Sequence, residues 1–283
     1  MALVTPFEAG GENLDRAAWQ RLVEWHVASG TNGIVVAGTT GESATLDGDE
    51  RDWLLTAALE AADGRCAVLA GTGASSTGVA VAQSRRAAAL GADAVLVVAP
   101  YYNRPPQRGL LAHYRAIADA SEVPVVLYNV PSRTAIDIEP ETALALAGHR
   151  NVVAIKEAVA DMDRVQRYVT AGMNVLSGDD STALAAMRHG ARGVISVAAN
   201  LAPAAVSRMC RLAADGNFEA AAEIDAQLQP LYRFLGVESN PIPAKWLLSA
   251  SGRLGPDLRL PLIELNESHH AAGRRLLESL DHE

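Results

Sequence analysis

Short apolar runs, many of them β-branched, alternate along the chain with longer alanine-rich stretches in which apolar positions recur every three or four residues. The runs are Ala2–Thr5, Gly33–Ala37, Cys66–Ala70, Ala94–Ala99, Val125–Tyr128, Val152–Lys156, Asn174–Ser177 and Gly193–Val197. Most are nearly all apolar, as expected of parallel strands buried on both faces. The stretches between them read as helices. Asn13 is placed to cap one whose buried stripe is Leu14, Ala18, Leu22 and Trp25. Ser75, Ser76 and Thr77 open another that stops at Gly91, and Pro140, Asp163 and Asp180 stand near the starts of three more. Eight strand–helix units predict a closed (β/α)8 TIM barrel, with an open doubly wound sheet as the alternative. After Leu201 only helical patterns remain, at Pro203–Asp215, Phe218–Phe234, Pro241–Ala250 and Asn266–Leu280. Residues 1–215 are assigned to the barrel and 216–283 to a small C-terminal helical region packed on it.

Composition narrows the functions available. Of 283 residues, 49% are hydrophobic and 20% charged, which suits one large core and argues against disorder. A net charge of −9 with no basic stripe argues against nucleic acid as a partner. The apolar runs are too short for a membrane span, and the opening MALVTPF has neither the basic nor the apolar region of a signal peptide. Two cysteines, Cys66 and Cys210, form no C-x-x-C pair, so a reduced cytoplasmic protein is expected.

In a β/α barrel the chemistry sits at the carboxyl ends of the strands. Those ends carry Gly38-Thr39-Thr40-Gly41-Glu42, Pro100-Tyr101-Tyr102-Asn103, Tyr128-Asn129-Val130-Pro131-Ser132-Arg133, Lys156-Glu157 and Ser177-Gly178-Asp179-Asp180. Lys156 closes a run that should be buried. Lysine is seldom buried without a reason, burial disfavours an ammonium, and a neutral amine attacks carbonyls. The other reading is a lysine leaving its strand for solvent, paired with Glu157; the strand alone does not choose. Tyr128 ends the neighbouring strand and is either a proton shuttle or an aromatic plug. Thr39 and Thr40 suit a carboxylate but also an ordinary turn. Arg133 is either a fork for a second carboxylate or a surface arginine. Gly71-Thr72-Gly73 lacks the third glycine of a dinucleotide fingerprint, and no Walker loop or G-x-S-x-G elbow is present. His269 and His270, near Glu264 and Glu267, read as a solvated helix face, so no metal site is expected.

Six segments together resemble the dihydrodipicolinate synthase family in order and spacing: Gly38-Thr-Thr-Gly-Glu-Ser43, Pro100-Tyr-Tyr-Asn103, Tyr128-Asn-Val-Pro-Ser-Arg133, Ile155-Lys-Glu-Ala158, Ser177-Gly-Asp-Asp180 and Gly193-Val-Ile-Ser-Val197. The strand-end lysine and the Gly-x-x-Gly-Glu turn are shared with the wider pyruvate-dependent aldolases. The tyrosine doublet and Ser132-Arg133 favour this family within them. The resemblance implies that Lys156 forms a Schiff base with pyruvate. The derived enamine would add to L-aspartate 4-semialdehyde and give 4-hydroxy-tetrahydrodipicolinate for lysine and diaminopimelate biosynthesis, with no cofactor. It implies Tyr128, Thr39 and Tyr102 as a proton relay. Thr40, Gly178 and the backbone near Ile195 would hold pyruvate, and Arg133 the semialdehyde. Tyr102 would serve a neighbouring subunit, making the protein at least a dimer and in most of the family a tetramer. Members commonly start earlier than this chain, so a short first strand is expected.

The alternatives are a Schiff-base lyase acting on N-acetylneuraminate or a keto-deoxy sugar acid, and a non-catalytic pyruvate-binding sensor. Many members are inhibited by lysine at a cleft between subunits, through two histidines, an asparagine, a glutamate and the first tyrosine of the doublet. This chain carries Gly48 and Arg51 at the histidines, Ser75 at the asparagine and Val79 at the glutamate, and keeps Ser43, Ala44 and Tyr101. The implied outcome is insensitivity to lysine.

Overall fold

A computed structural model describes residues 1–280; the last three residues of the C-terminal helical region lie outside the described residues. Six of the eight runs form one parallel sheet in sequential order: β1 (Gly33–Val36), β2 (Ala67–Gly71), β3 (Ala94–Val98), β4 (Val125–Asn129), β5 (Val152–Glu157) and β6 (Asn174–Ser177). The first and last runs contribute single bridges, Ala2 to Val35 and Val194 to Ser177. Those bridges close the ring. Ser177 N–H donates to Gly193 O at 2.8 Å and Ile195 N–H to Ser177 O at 2.9 Å. Ala2 N–H then reaches Ser196 O at 2.9 Å, and Leu3 N–H reaches Val35 O at 3.1 Å. The closed (β/α)8 barrel is therefore completed by two segments too short to count as strands. Gly193, at φ 154°, lies at the start of the second of them.

Side chains alternate in and out along each strand. Val35, Leu96, Val126, Tyr128, Ala154 and Ile195 pack together inside the barrel, with Ala2 from the closing segment. Ile34, Val68, Val95, Val97, Leu127, Ile155 and Val175 point outward into the larger core beneath the helices. Both faces are apolar, which is why the strands read as unbroken hydrophobic runs.

Eight helices follow the barrel strands or the segments that close the ring, or precede β1: α1 (Arg16–Ala28), α2 (Gly48–Ala62), α3 (Thr77–Ala89), α4 (Gln107–Ala120), α5 (Pro131–Thr134), α6 (Pro140–Ala147), α7 (Met162–Thr170) and α8 (Ala183–Arg188). They are followed by α9 (Pro203–Ala214), α10 (Phe218–Leu235), α11 (Ile242–Ala250) and α12 (His270–Leu280). The last of these packs on the others: α10 lies against α9 and α8, and α12 against α11. One expected cap differs. Asp15, not Asn13, caps α1 by accepting from Ala18 N–H at 2.8 Å; Asn13 is taken up by the Phe7–Leu14 bridge, where its carbonyl accepts from Glu8 N–H. Asp180 stands just before α8, as expected, and its carboxylate accepts from Val197 and Ala198 N–H, both at 2.9 Å.

Outside the barrel wall, Glu157 is buried in a polar network that ties β5 to β4 and α7. Its carboxylate accepts from Asn129 Nδ2 at 2.9 Å and Val159 N–H at 3.0 Å, and pairs with Arg164 at 2.9 Å. Arg164 also grips Asp137 with two bonds of 2.9 and 2.8 Å. Burial pushes the Glu157 carboxyl above its usual range, and Arg164 and the Val159 N–H pull it part of the way back. Burial opposes the Arg164 charge too, but Asp137 and Glu157 outweigh it and hold that group up. An acid whose value is raised in the folded state binds more protons folded than unfolded. Its contribution to stability therefore falls as pH rises from the ordinary carboxylate value through the folded one. Removing Arg164 deepens that fall. Arg164→Met is expected to cost about 3–5 kcal/mol near pH 8, where Glu157 is left as an uncompensated buried charge. The loss should shrink toward pH 5, where the carboxyl can take a proton. Urea denaturation at the two pH values checks this, and an equal loss at both would contradict it.

Candidate active site

The parallel register sets Tyr128 directly opposite Lys156, with Asn129 opposite Glu157. Tyr128 and Lys156 share the inward parity of Val126 and Ala154, while Asn129 and Glu157 point out into the network just described. The register shifts once: Val125 pairs with Val152 and Val126 with Ala154, leaving Val153 over. Val152 packs with the outer layer and Ala154 with the inner, so this bulge is what turns Lys156 into the barrel.

Lys156 is 5% exposed and its Nζ lies 4.1 Å from the centre of the Tyr128 ring. No carboxylate among the described residues forms an ion pair with it. The pairing of Lys156 with Glu157 considered from sequence does not occur, because consecutive strand residues face opposite ways. Lys156, Tyr128, Thr39 and Thr40 line one small cavity at the mouth of the barrel, with Ala2, Val35 and Leu96 as its apolar floor.

The turn after β1 brings in the threonines. Gly38 O accepts from Gly41 and Ser43 N–H, and Thr39 O from Glu42 N–H. Ala37 (φ 51°) and Glu42 (φ 55°) both hold the left-handed conformation without being glycine. Each such residue costs about 1–3 kcal/mol and persists only where its surroundings fix it. Thr40 Oγ1 accepts from Asn240 Nδ2 at 2.9 Å, which leaves its own proton to donate. Gly71 and Gly73, rejected as a nucleotide loop, are packing residues: a Cβ on Gly73 would stand 2.4 Å from Val98 N.

The other expected residues lie around this core. Ile195 is buried in the inner cluster and Gly178 packs against Ala158, where a Cβ would meet the Ala158 Cβ at 2.7 Å. Arg133 sits exposed on α5, its guanidinium donating to Asn240 O at 3.4 Å, and lines a larger outer cavity of about 810 Å³. Thr39, Ala37, Gly71, Gly73 and Val98 border both cavities. Tyr102 stands apart. It is 91% exposed at φ 74° and lines neither cavity, so one chain brings together Lys156, Tyr128 and Thr39 but not Tyr102. His270 stacks on Trp246 at 4.7 Å, a packing role.

Asn240, Asp180 and Lys245 were not singled out as site residues from sequence. Asn240 touches both Thr40 and Arg133 from 200 and 107 residues away. Its only sequence sign is the Ser-Asn-Pro turn signal before α11.

The model of the Dihydrodipicolinate synthetase family matches residues 1–280. The 4-hydroxy-tetrahydrodipicolinate synthase of Stenotrophomonas maltophilia strain K279a is 54% identical over 97% of this chain and 93% of its own length. Among solved structures, the chloride-inhibited dihydrodipicolinate synthase of Acinetobacter baumannii complexed with pyruvate superposes with a TM-score of 0.97. It is 43% identical, and the match covers 99% of this chain and 97% of that one. The enzyme of Cyanidioschyzon merolae with lysine bound gives a TM-score of 0.95 at 39% identity, over 99% and 96% of the two chains. The six sequence segments, the closed barrel and the inward lysine agree with these likenesses: the chain belongs to the dihydrodipicolinate synthetase family.

Proposed function

We propose that this chain condenses pyruvate with L-aspartate 4-semialdehyde to 4-hydroxy-tetrahydrodipicolinate, the lysine and diaminopimelate branch-point reaction, through a Schiff base on Lys156. The observation that carries the reading is a buried strand-end lysine, without a carboxylate partner among the described residues, 4.1 Å from the Tyr128 ring. The synthase name of relatives as similar as 54% supports the choice of substrates.

The Lys156 amine adds to the pyruvate carbonyl, and loss of water leaves an imine. The imine draws electrons from the methyl carbon, so loss of a proton there gives an enamine. The enamine carbon bonds to the semialdehyde carbon, whose oxygen takes a proton. The semialdehyde's own amine then attacks the imine carbon, closes the ring and returns Lys156. Tyr128 carries these protons, with Thr39 of the same chain and Tyr102 of the neighbouring subunit completing the relay. Thr40, Gly178 and the backbone at Ile195 hold the pyruvate carboxylate, and Arg133 the semialdehyde's. Lysine itself supplies the electron sink, so the reaction needs no cofactor.

The exposure of Tyr102 and Tyr101 supports a homo-oligomer in which this loop reaches a second copy, a dimer or a tetramer. Free thiols at Cys66 and Cys210 support a reducing cytoplasmic setting. No helix among the described residues is long and apolar enough to cross a membrane. The division into a barrel of residues 1–215 and a helical region of 216–283 belongs to the same reading.

Pyruvate with borohydride should add one reduced pyruvate group at Lys156 and abolish activity. Peptide mapping decides, and labelling elsewhere or not at all would sink the assignment. Tyr128→Phe should lower kcat by about 10²–10⁴-fold. Arg133→Ala should weaken use of the semialdehyde by about 1.5–3 kcal/mol, the worth of a hydrogen bond to a charged group. It should leave pyruvate trapping intact; a block of trapping would mean that Arg133 holds pyruvate.

Insensitivity to lysine is also expected. Ser43, Ala44, Gly48, Arg51, Ser75, Val79 and Tyr101 all line the outer cavity. Arg51 is turned into it, donating to Gly71 O at 3.3 Å and to Ser43 O, and burial depresses its charge. The two carboxylates in the lining are engaged, Glu42 by Lys245 and Asp52 by Arg86, both at 2.7 Å. An entering ammonium finds no unspent acid among the described lining residues. Loss of such a partner costs about 2–5 kcal/mol, roughly thirty- to several-thousand-fold in affinity. Activity titrated with L-lysine into the millimolar range should stay flat, and submillimolar inhibition would show that other groups receive it.

A further inference from the structure

Lys245 lies on α11, and its side chain is fully buried. Its Nζ donates to Glu42 Oε1 at 2.7 Å and to Asp257 O at 2.5 Å, and stands 4.3 Å from the centre of the Phe7 ring. The other carboxylate oxygen, Glu42 Oε2, accepts from Arg259 N–H at 3.1 Å. Glu42 is also the residue that ends the Gly38–Glu42 turn in a left-handed conformation. Its N–H holds Thr39 O at 3.1 Å, and its carbonyl accepts from Thr45 Oγ1 at 3.0 Å. A glutamate held at φ 55° resists relaxing only if its side chain is fixed from outside the turn. The C-terminal segments fix it at both oxygens.

An ion pair this deeply buried is a poor source of stability, since desolvating two charges offsets their attraction. Its geometry is better suited to specifying one conformation. The turn it fixes is the one that carries Thr39 and Thr40 into the Lys156 cavity. Nothing in the proposed chemistry uses Lys245, and it lines neither cavity.

We propose that Lys245 is a positioning residue: through its buried pair with Glu42 it locks the Gly38–Glu42 turn in the conformation that presents Thr39 and Thr40 to the Schiff-base lysine. The role in catalysis rests on the functional reading above; the lock on the turn does not.

Replacing Lys245 alone would strand a buried carboxylate and could unfold the chain. The informative protein is therefore the double variant Glu42→Gln/Lys245→Met, which removes both charges at nearly constant volume. Urea denaturation should show stability close to that of the unsubstituted protein, as for other buried pairs replaced together. Amide exchange over residues 39–45 should nevertheless rise by about tenfold or more, while β4 and β5 keep their protection. The apparent KM for pyruvate should rise and borohydride trapping at Lys156 should slow by about 10²-fold, the cost of a misplacement near 1 Å. The KM for the semialdehyde should change little, because Arg133 is carried by α5. A merely structural pair would not give that split. Unchanged exchange over 39–45 would overturn the lock, and raised exchange with native pyruvate kinetics would overturn the positioning role. Trapping of pyruvate by the unsubstituted protein is the control. Its failure would refute the functional reading, while the exchange comparison still decides whether Lys245 holds the turn.

Discussion

The site depends on the pairing of β4 with β5. Parallel strands carry no choice of side-chain face once their register is fixed: a slip of one residue exchanges inside for outside. Here the bulge at Val153 sets that choice for β5, and the register then places Tyr128 beside Lys156 inside the barrel. The same parity sends Asn129 and Glu157 out, so a carboxylate adjacent in sequence to the lysine cannot neutralise it. A buried amine and a buried acid occupy consecutive residues and never meet.

Separation of charge continues through the rest of the barrel mouth. Glu157 has Arg164, and Glu42 has Lys245. Each of these two acids has its own cation on an element outside the sheet. Burial raises the Glu157 carboxyl and lowers the Lys245 ammonium, and in both the partner acts against the cost of burial. Neither pair touches the inner cavity in which the Lys156 amine lies.

What was legible in the sequence follows from the range of the forces involved. Strand parity is a local property, so the runs from Gly33 to Ser177 could be read as strands and their ends as the barrel mouth. The two closing segments also showed as apolar runs, but they form single bridges and not ladders, and run length alone does not distinguish these. Asn13 looked like a cap because Asn is a good one; the bridge between Phe7 and Leu14 had already claimed its backbone. Asp180 stands just before α8, as its position in the sequence suggests, but the bonds of its carboxylate to the N–H groups of Val197 and Ala198 come from 17 and 18 residues away. Lys245 sits in a helix of ordinary apolar pattern, and its partner is 203 residues away. No periodicity or spacing encodes a contact of that kind.

Asn240 shows how the helical region enters the geometry of the barrel. Its side chain donates to Thr40, which lies in the inner cavity, and its carbonyl accepts from Arg133, which borders the outer one. A hydroxyl that accepts one hydrogen bond has its proton left to give, so Thr40 keeps a donor beside the inner cavity. A guanidinium resting on a backbone carbonyl still has donors to spare for a second anion. One residue between α10 and α11 therefore ties together Thr40 and Arg133, which arise on different barrel loops. A reaction that joins two carboxylate-bearing molecules needs that distance to match the bond being formed. Under the proposed reading, in which Thr40 and Arg133 receive the two carboxylates, the segment between two C-terminal helices contributes to that match beside the barrel strands.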